Sequence, residues 1–258
     1  MSKSSRHKLW FSILSKDACY ASDEEKFINP ETFDWTKNSE KITKEIKEEL
    51  LNYLSQHSLQ AYFNTKMSDD VKKWKTISLK WWGLEFYSRQ KFFSKTTAFI
   101  NSIPNLVSAS FNLLEPQSRI YPHCGDTNGI YRCHLGLIIP AQLPECGFRV
   151  EDEKRSWEEG KWLIFIDAKE HEAWNESNEN RFILLIDIIR PEFANQKNKI
   201  VLTSLTGLFL QKLAESFPVL YKFQNNISLK RRLVYILIPF CFLASKIRNL
   251  LSKCGLVS

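Results

Sequence analysis

Hydrophobic and polar positions change rhythm twice along the chain. Ile42, Ile46, Leu50 and Leu54 recur every fourth residue through a Lys/Glu-rich run, with Asn38-Ser39 placed to cap it. That spacing predicts an amphipathic helix serving as scaffold. Residues 68–80 are polar and read as a loop leading to Leu79-Lys80-Trp81-Trp82-Gly83. A second helix is predicted over roughly residues 92–102, stopped near Pro104. From Val107 the period becomes two. Residues 107–114, 131–139, 147–150, 162–166 and 181–188 read as strands, separated by Pro, Gly, Asn and acidic turns. Short strands following helices predict a mainly β fold with flanking helices, either a sandwich or a jelly-roll barrel. After Pro191, residues 200–220 return to an amphipathic helical pattern, and an apolar run follows at 233–244, broken by Pro239. The expected division is a helical and loop buttress (1–104), a β core (105–192) and a basic C-terminal helical tail (193–258).

Composition narrows this picture. The chain has 258 residues, 43% of them hydrophobic, with eight Trp and eighteen Phe, which suits one sizeable core. Its six cysteines are scattered without a CxxC pair, so reduced thiols in a cytosolic protein are expected. The apolar patch at residues 9–14 is shorter than a signal-peptide core. The net charge of +7 is unevenly spread: from Phe193 onward ten Lys or Arg face one acid, Glu215. Basicity therefore belongs to the tail and not to the β core, which argues against a nucleic-acid partner. The run at 233–244 is about twelve residues, short of the roughly twenty that span a bilayer. Its basic flanks, from Lys230 to Lys253, fit either a segment lying on an anionic membrane surface or a helix docked on the protein.

Candidate chemistry concentrates between Tyr121 and Pro191, which hold His123, His134 and His171 and two arginines in apolar surroundings, Arg132 and Arg181. Imidazole ligates iron, zinc and copper. His123 and His171 are far apart in sequence and can meet only across a folded sheet. Arg181 opens the apolar run Phe182-Ile183-Leu184-Leu185-Ile186, with no acid on its strand face until Asp187. A buried guanidinium needs a partner, and a ligand carboxylate would satisfy it bidentately. Two imidazoles for a metal and an arginine for a distal carboxylate suit 2-oxoglutarate, which chelates iron and leaves a second carboxylate to be anchored.

These residues resemble the aspartyl/asparaginyl β-hydroxylase family of Fe(II)/2-oxoglutarate dioxygenases. The matching pieces are His-x-Gly-x-x-Asn at 123–128, Arg-x-His-Leu-Gly-Leu at 132–137, Trp-x-x-Gly at 157–160, Glu-His-Glu at 170–172, and Arg181 followed by Asp187 and Arg190-Pro191. The resemblance spans roughly residues 74–191 and implies a double-stranded β-helix (jelly-roll, cupin-like) core. It further implies that His123 and His171 hold the iron and that Arg181 pairs with the distal carboxylate of 2-oxoglutarate. Arg132 and His134 would lie near the cosubstrate's metal-proximal end, and Trp74 would line the same site. The implied reaction consumes O2, decarboxylates 2-oxoglutarate to succinate and CO2, and hydroxylates a C–H bond.

Many dioxygenases of this fold carry an acidic third ligand two residues after the first histidine. Here that position is Gly125, as it is in the family resembled, which leaves water in the carboxylate's place. Asp126 could act through water, and Asp167 could orient such a water or a ligand histidine. Asn112 stands where the family has a serine near the distal carboxylate; its amide can still donate. No tetratricopeptide-like segment is present to deliver a protein substrate, so the first expectation is a free amino acid or small peptide with an Asp- or Asn-like side chain. A lipid A-type acyl chain is the alternative that the basic, apolar tail favours. The expected location is cytoplasmic, with the tail able to hold the protein at the inner membrane surface. A different class is a non-catalytic β-sandwich holding zinc, with Cys124 joining His123.

Overall fold

The structure, a computed structural model, describes residues 8–37, 39–57, 59–61, 68, 70, 72–217, 219 and 226–257. Helix α1 (Ser39–Leu54) leads into strands β1 (Gln60–Ala61), β2 (Trp74–Trp81) and β3 (Leu84–Glu85). Helices α2 (Tyr87–Gln90) and α3 (Ser94–Ser102) follow. Eight strands then run to β11: β4 (Leu106–Leu114), β5 (Ser118–His123), β6 (Ile130–Ile138), β7 (Cys146–Val150), β8 (Glu153–Arg155), β9 (Trp162–Ile166), β10 (His171–Asn175) and β11 (Arg181–Ile189). Helices α4 (Lys197–Ser216) and α5 (Ile227–Lys253) close the described chain. The capping role read for Asn38 falls outside the described residues.

The strands form two antiparallel sheets. The major sheet runs β1-β2-β4-β11-β6-β9 with β3 attached to β2, and the minor sheet runs β5-β10-β7-β8. They face each other as a jelly-roll, and side chains from both mix in one buried cluster that includes Leu114, Ile120, Phe148, Phe165 and Ile183. The period of two sorts the major sheet into two kinds of surface. Phe111, Leu135, Leu184 and Ile186 point outward into a hydrocarbon core with Ile46 and Leu50 of α1 and Ile100 of α3. Alternate residues on the same strands point inward and line a cavity of about 660 Å³ between the sheets.

Three expectations need correction. The segment read as a loop at 68–80 contains β2, which pairs with β4 along most of its length. Its Trp74, Thr76, Ser78 and Lys80 line the cavity, while Ile77 and Leu79 are buried in the outer core. A strand whose inner face is functional looks polar, which hid the alternation. Secondly, Pro239 lies inside α5 without ending it. The helix is 27 residues long, and among the described residues it alone is long and apolar enough to cross a membrane. Thirdly, Cys19 and Cys124 form a disulfide, with Cα atoms 5.4 Å apart and a sequence separation of 105. Only the folded path joins them, so spacing gave no sign of the pair, and the all-thiol reading does not hold for it. Cys133, Cys146, Cys241 and Cys254 are free.

The disulfide fastens an N-terminal strap across the turns beside the two key histidines. Ser12 N–H donates to the Asp126 carbonyl (2.9 Å) and Tyr20 N–H to the Ala168 carbonyl (3.1 Å). Trp10 N–H donates to Asn128 Oδ1 (2.8 Å), and Thr127 Oγ1 donates to the Trp10 carbonyl (2.7 Å).

Candidate active site

All seven residues singled out from the sequence, Trp74, Asn112, His123, Arg132, His134, His171 and Arg181, line the cavity. His123 ends β5 and His171 begins β10, and the two are direct partners in the antiparallel ladder. Their ring centroids are 4.2 Å apart. In each, Nδ1 meets a main-chain carbonyl two residues upstream: Tyr121 for His123 (2.7 Å) and Lys169 for His171 (2.8 Å). A carbonyl only accepts, so Nδ1 carries the hydrogen and each neutral ring keeps its lone pair on Nε2. Burial lowers the pKa of His123 to about 4, assisted by the charge of Arg132. Burial and the neighbouring His123 hold His171 well below its ordinary value. Both imidazoles are therefore neutral near pH 7, the state a metal requires.

A carboxylate occupies the space that Gly125 leaves. A Cβ on Gly125 would lie 1.8 Å from Asp167 Oδ2. Asp167 Oδ1 is 3.8 Å from His171 Nε2 and 2.5 Å from Arg132 Nη1. Arg132 also forks onto Asp187, through Nε to Oδ1 (2.8 Å) and Nη2 to Oδ2 (3.1 Å). Burial and the charges of Asp187 and Asp126 push Asp167 up to about 7, against the pull of Arg132. Burial likewise raises Asp126 to about 6.

The inner end of the cavity is built for an anion. Arg181 is 1% exposed, and its Nε and Nη1 have no hydrogen-bond partner. Burial lowers its pKa only to about 10, so it stays charged. Its guanidinium lies 4.6 Å from the centre of the Trp157 ring. Trp157 Nε1–H donates to His134 Nδ1 (3.3 Å). Indole can only donate, so His134 carries its hydrogen on Nε2, and that buried atom also lacks a partner. Trp74 Nε1–H reaches Asn112 Oδ1 (3.4 Å), which turns the Asn112 amide nitrogen toward Ser110 Oγ (2.9 Å).

Trp157 is the residue whose role the sequence did not disclose, although its motif was recognised. Gly136 explains its placement. The loop after Trp157 crosses β6 so closely that a Cβ on Gly136 would lie 2.2 Å from the Glu158 carbonyl. Gly160 N–H donates to the Gly136 carbonyl (3.0 Å), and Gly136 N–H to the Lys161 carbonyl (3.1 Å). The His-Leu-Gly-Leu and Trp-x-x-Gly pieces are two sides of one contact that brings an indole onto both His134 and Arg181. Asp187 was read only as part of a motif, and its ion pair with Arg132 spans two strands that sequence spacing does not relate.

Comparison with known proteins agrees with this construction. The profile of the aspartyl/asparaginyl beta-hydroxylase family matches residues 40–191. The chain belongs to that family. An ornithine lipid ester-linked acyl 2-hydroxylase from Rhizobium tropici is 37% identical over 166 residues, 62% of this chain and 59% of that protein. The mouse aspartyl/asparaginyl beta-hydroxylase is 40% identical over 89 residues, 34% of this chain and 12% of its own length. The chain thus spans about three fifths of the first relative and about an eighth of the second. Among solved structures, a Pseudomonas putida prolyl-4-hydroxylase aligns over 60% of this chain and 89% of its own, with a TM-score of 0.40 and 12% identity.

The donor set fits the cofactors of such a hydroxylase. Two neighbouring imidazoles with their lone pairs on Nε2 line the cavity, the buried Asp167 carboxyl lies beside one of them, and three orphaned N–H donors, two of them on a cation, lie deeper. Among the described residues no group of three or more His, Cys, Asp or Glu is placed to hold a metal. Two imidazoles would therefore need a chelating cosubstrate to complete the shell. Cys124, tied to Cys19, has no thiolate to offer the zinc alternative.

Proposed function

We propose that the protein is an Fe(II)/2-oxoglutarate-dependent hydroxylase whose acceptor is the acyl chain of a membrane lipid. The observation carrying the cofactor assignment is the fully buried Arg181 with two unpartnered donors, facing the same cavity as two metal-ready imidazoles. His123 and His171 would hold the iron through Nε2. Arg181 would pair with the distal carboxylate of 2-oxoglutarate, and His134 Nε2–H would donate to the same cosubstrate. Trp157 keeps both at their stations. Arg132, held by Asp187 and Asp167, keeps a fixed positive charge beside the metal position, and Asp167 offers an oxygen where Gly125 has no side chain. With O2, the loaded site supplies decarboxylation of 2-oxoglutarate to succinate and CO2 coupled to hydroxylation of the acceptor C–H. The protein's own contribution is to orient the reactants and to exclude water.

The acceptor reading departs from the amino-acid expectation for two reasons. Beside polar residues such as Ser78 and Lys80, the cavity lining includes Trp81, Trp82, Phe86 and Leu208. Such a wall suits a hydrocarbon chain better than an aspartyl side chain, and the ornithine lipid relative supports the same choice. A membrane-surface location follows from that acceptor.

Two measurements test the proposal. Mn(II) with 2-oxoglutarate, titrated by calorimetry, should bind the wild type, and Arg181→Met should weaken 2-oxoglutarate about a hundredfold while leaving Mn(II) in place. Equal 2-oxoglutarate binding by both proteins would end the cofactor assignment. Mass spectrometry of cell extracts with and without the protein should then show a one-oxygen gain in an acyl lipid. A gain confined to free amino acids or peptides would restore the earlier expectation.

A further inference from the structure

Helix α5 carries a feature the catalytic reading does not use. It lies along the body: Val234 and Ser252, about five turns apart, are both buried. Its C-terminal half is fastened to the rim of the cavity. Asn249 Oδ1 accepts from Glu85 N–H (2.9 Å), and Asn249 Nδ2 donates to the Gly83 carbonyl (2.9 Å). Arg248 Nη1 donates to the Glu85 carbonyl, and Ser252 Oγ accepts from Tyr87 N–H (3.4 Å). A helix held at these points lies flat and does not project from the protein.

The side facing away from these anchors is apolar and uncovered. Leu233, Ile236, Phe240, Leu243, Ile247 and Leu250 alternate steps of three and four residues, so they form one stripe. Their exposures run from 37% at Leu233 to 67% at Phe240. A stripe of this length on a protein surface marks a contact. The same helix holds Lys230, Arg231, Arg232, Lys246, Arg248 and Lys253 and no acid. A second copy laid on the stripe would set cations against cations, whereas an anionic bilayer complements both the charge and the apolar face.

The cavity rim beside α5 has matching chemistry. Phe86 lines the cavity and has two guanidinium groups over its ring, Arg89 at 4.8 Å and Arg248 at 4.2 Å. Arg89 Nη1 donates to the Ser78 carbonyl (3.4 Å) and Arg248 to that of Glu85. Among the described residues neither makes an ion pair with a carboxylate. Burial and the charge of Arg89 hold Arg248 below its ordinary pKa. Two half-buried cations that bond only main-chain oxygens leave donors for an anion.

We propose that α5 lies in the surface of an anionic bilayer with its stripe immersed, and that Arg89 and Arg248 seat one lipid's anionic headgroup at the cavity rim. The passage of that lipid's chain toward His123 and His171 rests on the hydroxylase reading; the docking itself does not.

Flotation of the full chain with vesicles tests the docking. It should float with phosphatidylcholine containing about 30 mol% phosphatidylglycerol and remain below with phosphatidylcholine alone. Raised salt should weaken the binding. The combined variant Ile236→Ser, Phe240→Ser, Leu243→Ser should lose flotation at least about tenfold with circular dichroism and Tm unchanged. Arg89→Gln should still float but bind dioctanoyl-phosphatidylglycerol about tenfold more weakly by tryptophan fluorescence. Equal flotation on both vesicles, or retention by the combined variant, overturns the docking. A wild-type dimer in light scattering that this variant abolishes gives the stripe to a second copy and overturns it too. Unchanged lipid affinity in Arg89→Gln removes the headgroup seat. His123→Ala should float like the wild type. A wild type that floats yet neither binds Mn(II) nor consumes 2-oxoglutarate would sink the hydroxylase reading alone.

Discussion

The two faces of strand β11 are both largely buried, but only the inner one carries charged groups. Leu184 is 0% exposed and Arg181 is 1% exposed, yet the first sits in hydrocarbon beneath the helices and the second lines the cavity between the sheets. On the outer face Leu184 belongs to an apolar cluster with Phe111, Leu135 and Ile186, and its burial favours folding directly. On the inner face Arg181 is desolvated with two donors unmet, which works against folding. Asp187, three alternations along the same inner face, escapes that cost through its fork with Arg132. Burial alone therefore does not distinguish scaffold from site. The distinction lies in whether the buried polar atoms already have protein partners or are left for a ligand.

The largest expected effect comes from removing a metal-ready imidazole. His171→Ala or His123→Ala should lower Mn(II) affinity about a hundredfold or more with little change in fold; calorimetry reads the first and circular dichroism the second. The comparison between faces is sharpest in a crossed pair. Leu184→Ala should lower unfolding free energy by about 2–5 kcal/mol and leave 2-oxoglutarate affinity alone once folded. Arg181→Met should show the reverse, equal or greater stability in denaturant titration with cosubstrate binding lost. If Arg181→Met proves as destabilising as Leu184→Ala, the guanidinium is structural and the contrast collapses.

A smaller effect is expected where the faces communicate. Gly136→Ala would press a methyl against the Glu158 carbonyl. It should cost about 1–3 kcal/mol and weaken 2-oxoglutarate binding by shifting Trp157 off His134 and Arg181. The smallest effect is electrostatic. With a folded pKa of about 4, His123 stays neutral while the unfolded chain takes up a proton below about 6.5. Its contribution to stability is thus lost as pH falls through that window. Asp167, raised to about 7, has the opposite sign: the folded state binds its proton first, so acidification from 7 toward 4 relieves a strain. Denaturation at pH 7 and pH 5 should show less acid loss in His123→Gln than in the wild type, and more in Asp167→Asn.

The same contrast explains what could be read before folding. Strands β4, β9 and β11 were legible because apolar residues dominate both of their faces or alternate cleanly. Strand β2 was not, because Thr76, Ser78 and Lys80 serve the cavity and imitate a loop. His123, His171 and Arg181 were recognisable as members of an ordered set of motifs, and the meeting of the two histidines required only that β5 and β10 pair. Trp157 was visible as a letter in a motif, but its dual contact depends on a loop crossing at Gly136 that no linear spacing encodes. The Cys19 pairing and the survival of α5 through Pro239 are likewise products of the folded chain. A missing N–H removes one helix hydrogen bond, which this long helix absorbs.

The Cys19–Cys124 bond has a practical consequence at the bench. Cys124 directly follows His123, and the bond joins positions 105 apart in sequence, a separation long enough for about 4–5 kcal/mol in the loop-entropy account. Dithiothreitol, often added to keep iron ferrous, would also cut this bond and loosen the strap over the histidines. Ascorbate spares disulfides. Turnover measured in the two reductants would then come from two different molecules, and a preparation dismissed as inactive in thiol buffer should regain function once reoxidised.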